Sequence, residues 1–182
     1  MKKIMIFGKN STIIEQISDK DLVEFKNNKI VVSSCKTPSS LLLNEFLAGL
    51  LYSHLHKIYD QIKKERKVEV FGDLDFEIVE KIGNKKQRVA KLEGNKILVK
   101  LNAVALPKSA LKYVIAHEIA HIFTKRHTRR FWKIIETIYP NFETGQKFLM
   151  KYEEVLYNPL TKHTHNTDKA LEEMSKECDI SC

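Results

Sequence analysis

Tyr113-Val114-Ile115-Ala116-His117-Glu118-Ile119-Ala120-His121 is the stretch on which the fold of this chain is decided. It carries the pattern H-E-x-x-H, two histidines four apart with a glutamate directly after the first. On an α-helix, residues i and i+4 share a face, with their Cβ atoms about 5–6 Å apart. Two imidazoles placed in this way can converge on one Zn²⁺, each at about 2.0–2.1 Å. Glu118 then flanks the ion and can hold a water beside it. With 7 His and 16 Glu among 182 residues, chance supplies roughly 0.02 such matches.

The flanking residues fit the same picture. Ala110, Leu111, Val114, Ile115, Ala116, Ile119, Ala120, Ile122 and Phe123 make the helix apolar nearly all round, and such a helix is buried. Burying two imidazoles and a carboxylate without partners costs several kcal/mol, a penalty that a metal ion removes. Upstream, Pro107-Lys108-Ser109 offers the helix start, with Ser109 as the expected N-cap.

A catalytic zinc takes three protein ligands and leaves a fourth position open. The third candidate is His127. Were the helix to continue unbroken, His127 would lie about 15 Å along the axis from His117. A break is therefore expected between Ile122 and Arg126. Lys125 and Arg126 suit the negative end of a helix dipole, and Thr128 suits the N-cap of a second helix beginning at Arg129. The histidine spacing equals that of the metzincin pattern, but Thr124 stands where that pattern has its turn glycine. A β-branched residue resists positive φ, so a different turn is expected.

Composition sets the frame. The length fits one domain, expected over residues 1–160, followed by a polar tail over 161–182. Apolar residues at 43% and charged residues at 30% are ordinary for a soluble globular protein. A net charge of +8 favours acidic partners, nucleic acid among them. Cys35, Cys178 and Cys182 are an odd number without framework spacing, which points to free thiols in a reducing compartment. The apolar run after Lys2-Lys3 is too short for a signal sequence, and no stretch approaches the ~20 apolar residues of a membrane span. The expectation is a cytoplasmic protein with no membrane partner.

Strands are expected over 2–7 and, around a turn at Lys26-Asn27-Asn28-Lys29, over 22–25 and 30–33. Residues 11–18 fit either periodicity. A helix over 39–66 starts at Thr37-Pro38 and carries an apolar stripe through Leu43, Phe46, Leu47, Leu50, Leu51, Leu55, Ile58 and Ile62. His54 and His56 lie two apart on it, on different faces, and make no pair. Strands over 68–71, 75–80, 87–92 and 96–102, separated by Gly72-Asp73, Gly83-Asn84 and Gly94-Asn95, read as an antiparallel meander leading into the metal helix. Helix resumes after the break, stops at Pro140-Asn141, and returns over about 144–157. His163, His165, Cys178 and Cys182 in the tail match no common zinc spacing. The fold class is α+β: a meander packed on a long N-terminal helix and an H-E-x-x-H helix, followed by two C-terminal helices.

The nonapeptide 113–121, His127 five residues beyond His121, Phe131-Trp132 and Pro140 together resemble the YgjP-like metallohydrolases, a group related to the WLM and SprT-like minimal zinc peptidases. The resemblance is tightest over 97–150, with Leu101-Asn102 and Pro107 upstream, and extends more loosely toward the N-terminus. It implies a small zincin-like fold, a zinc ion held by His117, His121 and His127, and Glu118 as the catalytic base. Where the family usually has a Trp-Gly-Ser-Cys stretch, Arg88-Val89-Ala90-Lys91-Leu92 stands here.

The expected function is a zinc-dependent hydrolase cleaving peptide bonds in a peptide or protein substrate. Its rivals are a zinc hydrolase of a non-peptide bond, such as a nucleotide phosphoanhydride, and a protease acting on DNA-bound proteins. The strand over 96–102 is expected at the cleft edge, where an extended peptide could pair with it. Tyr113, Arg129, Arg130 and Tyr152 are the candidates for stabilising the oxyanion.

Overall fold

The computed structural model describes residues 2–65, 73–84 and 88–157. The expected strand over 68–71, its Gly72-Asp73 turn, the start of the 87–92 strand and the tail with His163, His165, Cys178 and Cys182 lie wholly or partly outside those residues.

The N-terminal sheet has four strands in the order β1-β2-β4-β3. β1 (Lys2–Ile6) and β2 (Lys9–Ile17) form an antiparallel hairpin, and β3 (Leu22–Lys26) pairs antiparallel with β4 (Lys29–Ser34). Asn27 and Asn28 sit at φ 53° and 57°, the mirror-image turn that matches strand twist and that Asn tolerates. Residues 11–18, ambiguous by periodicity, lie almost wholly in β2, which also pairs in parallel with β4. At the β1–β2 turn, Phe7 N–H donates to the Val104 carbonyl (2.8 Å) and Gly8 N–H to that of Ala105 (3.1 Å). This ties the sheet to the segment just ahead of the H-E-x-x-H helix.

The helix α1 (Ser39–Lys64) buries Leu47, Leu51, Leu55, Ile58, Tyr59 and Ile62, one stripe at helical spacing. The second sheet has the order β5-β7-β6, from β5 (Asp75–Val79), β6 (Ala90–Glu93) and β7 (Lys96–Lys100). It is not the antiparallel meander expected. β6 and β7 do form a tight antiparallel hairpin through Gly94-Asn95, but β5 pairs in parallel with the other side of β7. So β7 is the central strand, with Ile97 and Val99 fully buried, and β6 is an edge.

A short 3-10 helix (Leu101–Ala105) then leads into α2 (Lys108–Phe123), α3 (Arg129–Ile138) and α4 (Phe142–Tyr157). The start of α2 differs from expectation: Pro107, not Ser109, occupies the N-cap, and no side chain caps the helix. The Pro107 carbonyl accepts from Leu111 N–H, and proline at a helix start gives up a donor that would have no intrahelical partner there. α2 is buried on nearly every side, and its Ile115 and Ile119 join Leu51, Ile97 and Phe131 in one hydrophobic cluster. Among the described residues no helix is long and apolar enough to cross a membrane.

Candidate metal centre

α2 ends where the third histidine requires it to. Its last residue is Phe123, and Thr124 follows at φ −154°, ψ 128°, extended backbone that a β-branched residue adopts without strain. The chain turns through Lys125-Arg126 and enters α3 at Thr128, whose hydroxyl accepts from Phe131 N–H at 3.5 Å. His127 is thereby folded back over the final turns of α2.

The result is a tight triangle. His117 Nε2 and His121 Nε2 are 3.2 Å apart, and His127 Nε2 lies 3.3 Å from each. Four ligands arranged tetrahedrally at 2.0–2.1 Å from a zinc ion stand about 3.3 Å from one another. Three ring nitrogens aimed at a common point at that spacing fit a metal ion, and protons alone do not satisfy all three lone pairs. The cluster is the set of His, Cys, Asp and Glu among the described residues that could hold one.

The surroundings fix the rings. His121 Nδ1 lies 3.2 Å from the Thr124 carbonyl, so Nδ1 carries the hydrogen and Nε2 keeps its lone pair for the metal. Phe131, fully buried, forms a floor: its ring centroid is 4.9 Å from that of His117, 4.8 Å from His121 and 4.6 Å from His127. Burial, reinforced by His121 and His127, pushes the His117 pKa down to about 4. That ring is neutral at pH 7, the state a metal ligand needs.

Glu118 is 9% exposed. One carboxylate oxygen, Oε2, accepts the Leu92 N–H of β6 at 2.8 Å, which pins the side chain between α2 and the second sheet. Burial raises its pKa, and the Leu92 N–H, His121 and Arg88 each pull it part of the way back.

The triad opens on a cleft of about 1220 Å³ between β6, α2 and α4. The strand bordering it is β6, whereas the 96–102 strand expected there lies one position further in. In a two-residue hairpin the closing pair, here Glu93 and Lys96, exchanges hydrogen bonds, and bonding alternates from there. Lys91 therefore faces β7 as well, and the main-chain groups of Ala90 and the Leu92 carbonyl face the cleft. α4 closes the far side, locked to α2 at Gly145, where an added Cβ would stand 2.8 Å from Tyr113 Cβ and closer still to the Ser109 carbonyl. Trp132, Phe142 and Tyr113 stack in sequence, at 5.8 and 6.3 Å, and join α3, α4 and α2.

A model of the YgjP-like metallopeptidase domain matches residues 3–152. The chain belongs to the YgjP-like family. That match spans both sheets, α1 to α3 and most of α4, so the YgjP-like domain includes every element that builds the triad and its cleft. Metal-dependent hydrolysis is the activity at family level. No curated protein and no solved structure gave a match.

Within this YgjP-like domain the three histidines are brought together, and Glu118 lines the same cleft. Of the four oxyanion candidates only Tyr113 lines the cleft. Arg129 and Arg130 are solvent-exposed in the first turn of α3, and Tyr152 is buried in the core. His54 and His56 stay apart from the triad: His54 lies against Phe7 (4.4 Å), its pKa pushed by burial to about 4, and His56 contacts Asp75 at 3.4 Å. Sequence reasoning missed Arg88, which lines the cleft near Glu118. The signal was the stretch it opens, Arg88 to Leu92, which stands where the family usually has Trp-Gly-Ser-Cys.

Proposed function

We propose that the chain is a zinc-dependent peptidase in which His117, His121 and His127 hold the ion and Glu118 acts as general base. The observation that carries the reading is the Nε2 triangle with sides of 3.2–3.3 Å, made by residues from α2 and from the turn after it. It fits a small, zincin-like metallopeptidase arrangement, in which an edge strand borders the metal helix.

Zinc bound there would supply Lewis-acid activation of water and of the scissile carbonyl. The remaining work falls to the chain. Glu118 Oε2 is held by Leu92 N–H, which leaves Oε1 to accept a proton from the attacking water. As the water oxygen bonds to the carbonyl carbon, that proton passes to Glu118; it then goes to the leaving nitrogen as the C–N bond breaks. On the cleft side of β6 the Ala90 main chain and the Leu92 carbonyl suit an extended substrate main chain, which would add as a further strand.

The test is a pair of measurements on purified protein. Glu118→Gln is expected to retain one zinc per chain and to lose peptide hydrolysis by a factor of about 10² or more. Undiminished turnover in that variant removes Glu118 as the base, and a wild-type protein that takes up no zinc removes the metal.

A further inference from the structure

Among the described residues, the side chains lining the cleft carry more positive than negative charge. Arg88, at the entry to β6, and Lys125, in the α2–α3 turn, both line it, and neither has an ion-pair or hydrogen-bond partner among the described residues. The third cation there, Lys91, is different: its ammonium is engaged by Glu93. Among the described residues the only acidic one lining the cleft is Glu118, whose carboxylate already accepts from Leu92 N–H.

Arg88 is partly buried and acts on the Glu118 carboxylate only through space, without a direct ion pair among the described residues, so a substrate that enters beside it gains affinity by bringing an anion. Arg is also the side chain whose planar fork matches a carboxylate in bidentate fashion. The other wall is mostly apolar, from Val114 on α2 and Leu149 and Met150 on α4, with Gln146 the polar residue beside them and Met150 61% exposed. A small inorganic anion would leave that wall wet. A peptide with an apolar side chain and a nearby carboxylate would satisfy both walls.

We propose that Arg88, assisted by Lys125, is the specificity-determining residue of the cleft and binds a substrate carboxylate within a residue or two of the bond at the metal. This rests on the peptidase reading for the position of that bond. The carboxylate could belong to an Asp or Glu side chain or to the C-terminus of the substrate, since the recognition chemistry is the same. In either case Arg88 holds the substrate and does not enter the chemistry.

The experiment measures binding, so that it does not depend on turnover. Zinc-loaded Glu118→Gln protein is mixed with N-acetylated, C-amidated hexapeptides bearing Asp or Asn at each position in turn, and with the same Asn set ending in a free carboxylate. Peptide retained on ultrafiltration is quantified by mass spectrometry. Retention of a carboxylate-bearing set is expected to exceed that of the all-amide Asn set by roughly tenfold. The preference should fall to near unity when Arg88→Gln is added, and be partly kept with Arg88→Lys. The Asp sets and the free-terminus set separate the two carboxylate sources. Equal retention of carboxylate and amide peptides, retention of none, or a preference that survives Arg88→Gln (and so belongs to the metal) each overturns the proposal. Pyrophosphate that displaces every peptide with no Asp preference also overturns it. If wild-type protein hydrolyses no peptide while the Arg88-dependent preference stands, the peptidase reading fails and the carboxylate site does not.

Discussion

Metal-free protein should become unstable in mild acid because of His117, and the size of the effect follows from where that ring sits. Its pKa in the folded state is about 4, depressed first by burial and then by His121 and His127. In the unfolded chain an imidazole has its ordinary value near ~6.5. The folded form is depressed, so the neutral ring favours folding: this contribution is complete above the unfolded pKa and is lost as pH falls toward the folded one. Between pH 7 and pH 5 the unfolded chain takes up nearly one proton that the folded chain refuses. Integrated over that interval, the loss is about 2 kcal/mol. The assay is urea unfolding of chelator-treated protein at pH 7 and pH 5, for wild type and His117→Gln. All other titrating groups are common to the two, so the wild type should lose about 2 kcal/mol more than the variant. Parallel losses would mean that the ring is solvated as in the unfolded chain, and the packed geometry of the triad would be wrong.

Two packing perturbations test the support of the centre. Phe131→Ala removes the floor under all three rings and opens a cavity in the core, so it should cost about 3–5 kcal/mol; a zinc affinity unchanged from wild type would show that the floor does not orient the ligands. Gly145→Ala forces a methyl group against Tyr113 and the Ser109 carbonyl. It should cost about 1–3 kcal/mol, nearer the upper figure because backbone cannot step aside. An unaltered urea midpoint would mean that α4 is not held against α2 as described.

The metal helix was legible from sequence because everything that defines it is local. Four-residue spacing, an apolar circumference, and the Thr124–Thr128 break all act within a turn or two of helix, and the structure places His127 against His117 as that break required. The Asn27-Asn28 turn was legible for the same reason. What sequence could not show was the pairing of distant strands. β2 lies in parallel beside β4, and β5 beside β7, through main-chain hydrogen bonds that leave no mark on side-chain pattern. The periodicity of residues 11–18 was indecisive because Ile13, Ile14 and Ile17 fit both a strand and a helix, and in β2 Ile17 is 96% exposed. The misplaced cleft edge follows from the same limit: that β6 lies outside β7 depends on where β5 docks. The N-cap of α2 differed because proline, with its fixed φ, sets the helix start without a side-chain acceptor.

Zinc-edge X-ray absorption on the purified, zinc-loaded chain measures the central feature directly. Three imidazole nitrogens at about 2.0–2.1 Å are expected in wild type, falling to two in His127→Ala. A wild-type spectrum with fewer than three imidazoles, or one unchanged by His127→Ala, would contradict coordination by His117, His121 and His127.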